Sequence, residues 1–144
     1  MRIMALDLGE KHIGVAVSDE LELTANPRAA LRHDGTALDR VLRLMEEEDV
    51  GEVVVGLPLL MSGAEGAQAQ RARDFANGLA ARAAVPIRTW DERLTTREAE
   101  RALIAADVRR ARRRKQIDQQ AAALILDGYL RYRALRRGGD EETE

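Results

Sequence analysis

Asp7 ends the apolar run Ile3-Met4-Ala5-Leu6 and is followed by Leu8-Gly9, a turn, and a second apolar run, Ile13-Gly14-Val15-Ala16-Val17. A carboxylate in a sheet that otherwise buries aliphatic side chains is costly unless it is paired or holds a metal. Glu92 and Asp118 stand in similarly abrupt settings, and the three converging would make an acidic cluster. The chain has 2 histidines and no cysteine, so such a cluster offers oxygen donors suited to a hard cation, Mg²⁺ or Mn²⁺. Two ions of this kind activate a water and stabilise the leaving oxygen when a phosphodiester is hydrolysed.

The elements that must position these groups follow from periodicity. Residues 2 to 8 read as a first strand, in which Ile3, Ala5 and Asp7 share one face. Ile13, Val15 and Val17 mark a second strand, and a third is expected near Arg28 to Arg32, after the Asn26-Pro27 break. Leu38, Val41, Leu42 and Met45 recur at helical spacing behind Gly35-Thr36. Val53-Val54-Val55 is a continuous apolar run, as in a buried central strand, ended by Leu57-Pro58. A helix is expected over residues 67 to 84, a fifth strand over Val85 to Trp90, and a helix capped by Thr95 or Thr96 with Glu98 in a capping box. The last helix is expected from Gln116 to about Leu135. Strands joined by tight turns and then alternating with helices predict an α/β fold, a mixed five-stranded sheet with helices on both faces.

Alternation along the fifth strand separates Asp91 from Glu92, so only one of them faces Asp7, and the strand's end decides which. Asp118 opens the last helix, where an N-cap is the plain alternative. Ala121, Ala122 and Ile125 share its face, so the helix can pack on the sheet and bring the carboxylate with it. Asp127, nine residues on, points to the opposite side.

The formal net charge of −2 over 144 residues conceals a segregation. Arg109, Arg110, Arg112, Arg113, Arg114 and Lys115 crowd into a segment with no apolar periodicity, which reads as a loop beside Asp118. Clusters of this density bind nucleic-acid phosphates or form a solvated face, and the position favours the former. Residues 1–137 read as one domain and 138–144 as an acidic tail without structure of its own. No apolar stretch approaches the ~20 residues of a membrane span, and the N-terminus carries no secretory signal pattern, so a cytoplasmic protein is expected. Serine and cysteine hydrolases are poor candidates: cysteine is absent and neither Ser18 nor Ser62 sits on a nucleophile elbow.

Four segments in order, Asp7-Leu-Gly-Glu-Lys-His-Ile-Gly-Val-Ala-Val-Ser-Asp, Val-Val-Val-Gly56-Leu57-Pro58, Asp91-Glu92-Arg93-Leu94-Thr95 and Ile117-Asp118-Gln-Gln-Ala121-Ala122, resemble the YqgF family, also called RuvX, of Holliday junction resolvases. The resemblance runs to about Tyr132. It implies an RNase H-like fold related to the RuvC resolvases and a metal-dependent endonuclease. The substrates it implies are four-way DNA junctions, the 5′ end of precursor 16S ribosomal RNA, or both. By the same resemblance, Asp7, Glu92 and Asp118 are the catalytic metal ligands, which favours Glu92 over Asp91. Lys11 and Arg93 match basic positions that could hold phosphates. One departure is Gln116, where such sequences often carry a basic residue; Lys115 and the arginines before it are the candidates to replace it. His12, in the turn beside Asp7, reads as a solvated residue. Resolving a junction needs paired cuts, hence an expected homodimer, whereas trimming an RNA end does not. Two rivals remain: a nucleic-acid-binding factor without catalysis, and an actin-like ATPase, which would need a second domain of the same kind.

Overall fold

The computed structural model describes residues 1–92 and 121–136. In chain order the elements are β1 (Arg2–Leu8), β2 (His12–Ser18), β3 (Ala25–Arg32), α1 (Ala37–Glu47), β4 (Val50–Leu57), α2 (Ala67–Arg82) and β5 (Ile87–Asp91). The final helix, α3, is described over 121–136. The five strands form one sheet in the order β3-β2-β1-β4-β5. β1 pairs antiparallel with β2 and parallel with β4, and β4 pairs parallel with β5.

Alternation in the central strands divides the core in two. Met4 and Leu6 of β1 and Val53, Val55 and Leu57 of β4 pack with Val41, Met45, Ala72 and Leu79 of α1 and α2. Ile3 and Ala5, with Val54, face the other way, onto Ala122, Ile125, Leu126, Tyr129 and Leu130 of α3. Helices therefore cover both faces, as the order of strands and helices predicts. Ala122, Ile125 and Tyr129 are buried as expected, whereas Ala121 is only half-buried and Leu126 and Leu130 join the core. Asp127 lies outside this face and pairs with Arg131 one turn on, 3.1 Å away.

The structure moves some boundaries. β3 starts at Ala25 and takes in Asn26 and Pro27, with Ala16 opposite Pro27. β3 is an edge of the described sheet, and an edge strand tolerates a residue with no N–H to donate. β4 extends beyond the three valines to Val50–Leu57. β5 begins at Ile87 rather than Val85, because Pro86 contributes only its carbonyl, to the Val53 N–H at 3.0 Å. The expected helix behind Thr95 or Thr96, the start of the last helix and the 138–144 tail lie outside the described residues.

A buried carboxylate, absent from the sequence expectations, fastens α3 to the sheet. Glu52 of β4 is 8% exposed. It accepts a hydrogen bond from the Tyr129 hydroxyl and pairs with Arg88 at 3.2 Å and Arg133 at 3.3 Å. Burial first, and then this carboxylate, push the Tyr129 hydroxyl up to about 12.

Candidate active site

Asp7 leaves the sheet at the carboxyl end of β1, the edge at which open α/β sheets place their sites. On β2 its register partner is Gly14. On the other side Leu6 pairs with Val55, so the next residues, Asp7 and Gly56, run on side by side. β5 continues through Asp91, paired with Leu57, and Trp90 lies opposite Gly56. With the strand regular to that point, Glu92 falls on the face of Ala5 and Asp7. The open choice between Asp91 and Glu92 is thus decided by where β5 ends.

Glycine makes this arrangement possible. A Cβ on Gly56 would stand 2.5 Å from Glu92 Oε1 and 2.7 Å from Ile125 Cδ1. The Glu92 side chain therefore lies directly on the β4 backbone, under α3, and is hydrogen-bonded to the Asp7 carboxyl. Two carboxyl groups can hydrogen-bond only with a proton between them. Burial, the Asp7 hydrogen bond and the neighbouring charges of Asp7 and Asp91 all raise Glu92, to about 9. A divalent cation can take the place of that proton between the two carboxylates, in competition with it.

The loops around the pair are tied together. The Gly9 N–H donates to the His12 carbonyl at 2.9 Å, and a Cβ on Gly9 would meet that same oxygen at 2.8 Å. The His33 N–H donates to the Lys11 carbonyl at 2.9 Å. His33 Nδ1 lies 2.6 Å from the Gly9 carbonyl; a carbonyl only accepts, so Nδ1 carries a proton, and in the neutral ring Nε2 is then the acceptor. His33 also meets Phe75 edge-on, with ring centroids 6.1 Å apart.

Asp7, Glu92, Glu10, His33, Gln68 and Arg71 line a cleft of about 170 Å³. Beside it, Lys11 and His12 share with Asp7 a second hollow of about 380 Å³. His33, Gln68 and Arg71 had no place in the sequence expectations. The β4–α2–β5 crossover brings the first turns of α2 to the carboxyl edge of the sheet, and the antiparallel β2–β3 pair returns the chain beside the β1–β2 turn. Both are consequences of strand order, which no local pattern carries.

The structure thus brings together Asp7 and Glu92, with Lys11 near them. Asp118, Arg93, Arg110, Arg112, Arg113, Arg114 and Lys115 lie outside the described residues. Among the described residues no three acidic or histidine side chains gather in a metal-binding group. The two carboxylates that do meet fit a hard divalent cation: both are oxygen donors, they share a proton a cation can displace, and Gly56 leaves them room.

The family model described as RuvX, Holliday junction resolvase, matches residues 1–132. The chain belongs to the RuvX family. Relatives named "putative pre-16S rRNA nuclease" include one from Symbiobacterium thermophilum, 50% identical over 94% of this chain and 96% of its own length. Another, from Myxococcus xanthus, is 52% identical over 90% and 87%. Among solved structures, Thermus thermophilus RuvC in complex with Holliday junction substrate aligns with a TM-score of 0.55 at 18% identity, covering 93% of this chain and 96% of RuvC. The fowlpox virus Holliday junction resolvase aligns with a TM-score of 0.53 at 17% identity, over 92% and 99%. These structures establish the RNase H-like fold of this RuvX chain. Its family is one of nucleases, which removes the actin-like ATPase from consideration.

Proposed function

We propose that this RuvX-family nuclease is an endonuclease that hydrolyses phosphodiester bonds with Mg²⁺ or Mn²⁺ held by Asp7, Glu92 and Asp118, and that its substrate is the 5′ end of precursor 16S ribosomal RNA. The observation that carries the chemistry is the proton-sharing Asp7–Glu92 pair at the carboxyl edge of the sheet. Relatives about half identical over nearly their whole length favour the ribosomal RNA. Likeness to junction resolvases at 17–18% identity speaks for fold alone.

When bound, divalent cations supply the neutralisation of developing charge and the activation of water that phosphodiester hydrolysis needs. The chain's own groups do the rest. Asp7 and Glu92 give up their shared proton and present oxygens on a rigid strand base. Arg71, lining the cleft, and Lys11, lining the hollow beside it, hold the phosphate's non-reacting oxygens. His33, its Nδ1 proton committed to Gly9, offers Nε2 to a proton released in the cleft. The residues 109–115 add sequence-independent attraction for the strand. We extend the proposal to one domain over 1–137, and to a homodimer only where paired cuts are made.

A cleavage panel tests this: precursor 16S ends, four-way junctions, linear duplex and single strands, each with Mg²⁺, Mn²⁺ or a chelator. Metal-dependent cleavage of the precursor end is expected. Binding without cleavage under every condition would support the non-catalytic nucleic-acid-binding factor instead.

A further inference from the structure

A cavity of about 900 Å³ lies along β5, between α2 on one side of the sheet and α3 on the other. Four arginines line it, Arg73, Arg88, Arg133 and Arg136, against one carboxylate, Glu52. That carboxylate is buried at the base and already engaged by Tyr129, Arg88 and Arg133. The arginines are partly paired: Arg73 with Glu65, and Arg133 with Glu22 as well as Glu52. A guanidinium has five N–H donors, so one carboxylate partner leaves others to spare. The Arg88 side chain is 57% exposed.

Aromatic rings interleave with these charges. Trp90 meets Tyr129 edge-on at 5.9 Å and Tyr132 at 5.6 Å, inclined by 58°. Tyr132 is 45% exposed, and the Arg136 guanidinium stands 5.7 Å from its ring centroid. Tyr132, exposed and backed by the half-buried Trp90, stands beside arginines as in the platforms on which an unpaired base stacks while phosphates are held.

Position joins this groove to the acidic cleft. Glu92 lines the cleft and Trp90 the groove, two residues apart on one strand face and so separated by about 7 Å. Arg71 lines the cleft and Arg73 the groove, along α2.

We propose that the β5 groove is a binding subsite for an unpaired nucleotide strand running to or from the scissile phosphate, with a base against Tyr132 and Trp90 and phosphates on Arg88 and Arg136. The inference rests on the nuclease reading and adds a specificity to it: substrates with an unpaired flank are held, and continuous duplex is not, because its bases stay stacked.

Trp90 is the only tryptophan, so its emission reports occupancy. The experiment uses the full chain in chelator, with short single-stranded RNA and DNA and a blunt duplex, read by tryptophan emission and by anisotropy of the labelled strand. Single strands are expected to quench emission with the midpoint seen by anisotropy, and RNA against DNA shows which sugar the subsite prefers. Tyr132→Ala weakens single-strand binding at least about fivefold, the low end of one base stack. Arg88→Gln with Arg136→Gln lowers the log–log salt slope by up to ~1.4, at ~0.7 per single-strand phosphate contact. Duplex binding changes little in either variant. Should Tyr132→Ala fail to fold, the exposed arginine pair carries the test. Unchanged emission at saturation, with unchanged binding by the variants, overturns the subsite. So does preference of the groove for an acidic peptide laid along the β5 edge. Asp7→Asn separates the two readings: it removes cleavage if the active-site assignment holds and leaves the emission change intact.

Discussion

The Glu92 carboxyl rests on the Cα of Gly56 and is hydrogen-bonded to the Asp7 carboxyl across two parallel strands. Neither residue is in contact with the other along the chain; the β1–β4–β5 order brings them together. The proposed cation site draws on that relationship. There are two oxygens in one place, a proton that either must share, and a backbone without a side chain in the way.

The shared proton predicts a pH dependence of the metal-free protein. Folding raises Glu92 from the ordinary 4.5 to about 9, so the folded state holds this proton more tightly than the unfolded chain. Its contribution to stability is whole below about pH 4.5 and is lost as pH rises toward 9. In chelator, the melting temperature is expected to fall across that window, and Mg²⁺ or Mn²⁺ is expected to restore it, most at the alkaline end, where no proton must be displaced. Glu92→Gln should flatten both effects. Melting curves at several pH values check this, and a wild-type profile that matches Glu92→Gln refutes it.

Asp7→Asn, Glu92→Gln and Asp118→Asn are each expected to take cleavage below detection while substrate affinity stays within a few-fold. Asp127→Asn should retain activity and lose only the exposed pair with Arg131, worth about 0.3–0.5 kcal/mol. Full activity in Asp118→Asn would remove that residue from the site.

Much of the frame is legible in the sequence because it rests on local alternation. Asp7 falls on the face of Ile3 and Ala5 by parity alone, and the apolar face of α3 is marked by Ala122, Ile125 and Tyr129. Glu92 was ambiguous on parity, because the answer depends on β5 persisting to Asp91. The glycine of Val-Val-Val-Gly56 was the available sign: a central strand gives up a side chain where another group must come close. His33 and Arg71 reach the cleft only through strand order. Glu52 carries no local sign of its role, since its partner Tyr129 lies 77 positions away.

Gly56→Ala tests the close approach. The added methyl meets Glu92 Oε1 at 2.5 Å and Ile125 Cδ1 at 2.7 Å, so either the carboxylate or α3 must move. Overpacking of this kind costs about 1–3 kcal/mol, and the displaced carboxylate is expected to weaken metal-dependent cleavage more than nucleic-acid binding. Thermal unfolding and a cleavage assay on the same preparation separate the two losses. Normal activity with normal stability would show that the site tolerates a side chain there.

Glu52→Gln tests the clamp between α3 and the sheet. The amide keeps the volume but removes the charge that Arg88, Arg133 and the Tyr129 hydroxyl share. Leaving buried donors poorly satisfied is expected to destabilise by about 1–3 kcal/mol. The Tyr129 hydroxyl, now without a carboxylate beside it, should titrate closer to its ordinary value, which ultraviolet difference spectroscopy follows. Equal stability of the two proteins would mean that apolar packing alone holds the helix.

The basic segment gives a prediction that reads substrate contact directly. Neutralising Arg110, Arg112, Arg113 and Arg114 together removes four cations that lie close to Asp118 in the chain. If they hold phosphates, affinity for every nucleic acid falls, and the slope of log affinity against log salt flattens by up to ~0.9 per lost contact on duplex. The effect should be nearly independent of sequence, because phosphates carry no base identity. On single strands it should also add to that of Arg88→Gln with Arg136→Gln, since the two sets would touch different stretches of the strand. Binding measured across a salt series for wild type, each set and their combination decides between the alternatives. An unchanged slope on neutralising the four arginines would identify a solvated segment and leave the β5 groove as the principal phosphate contact outside the cleft.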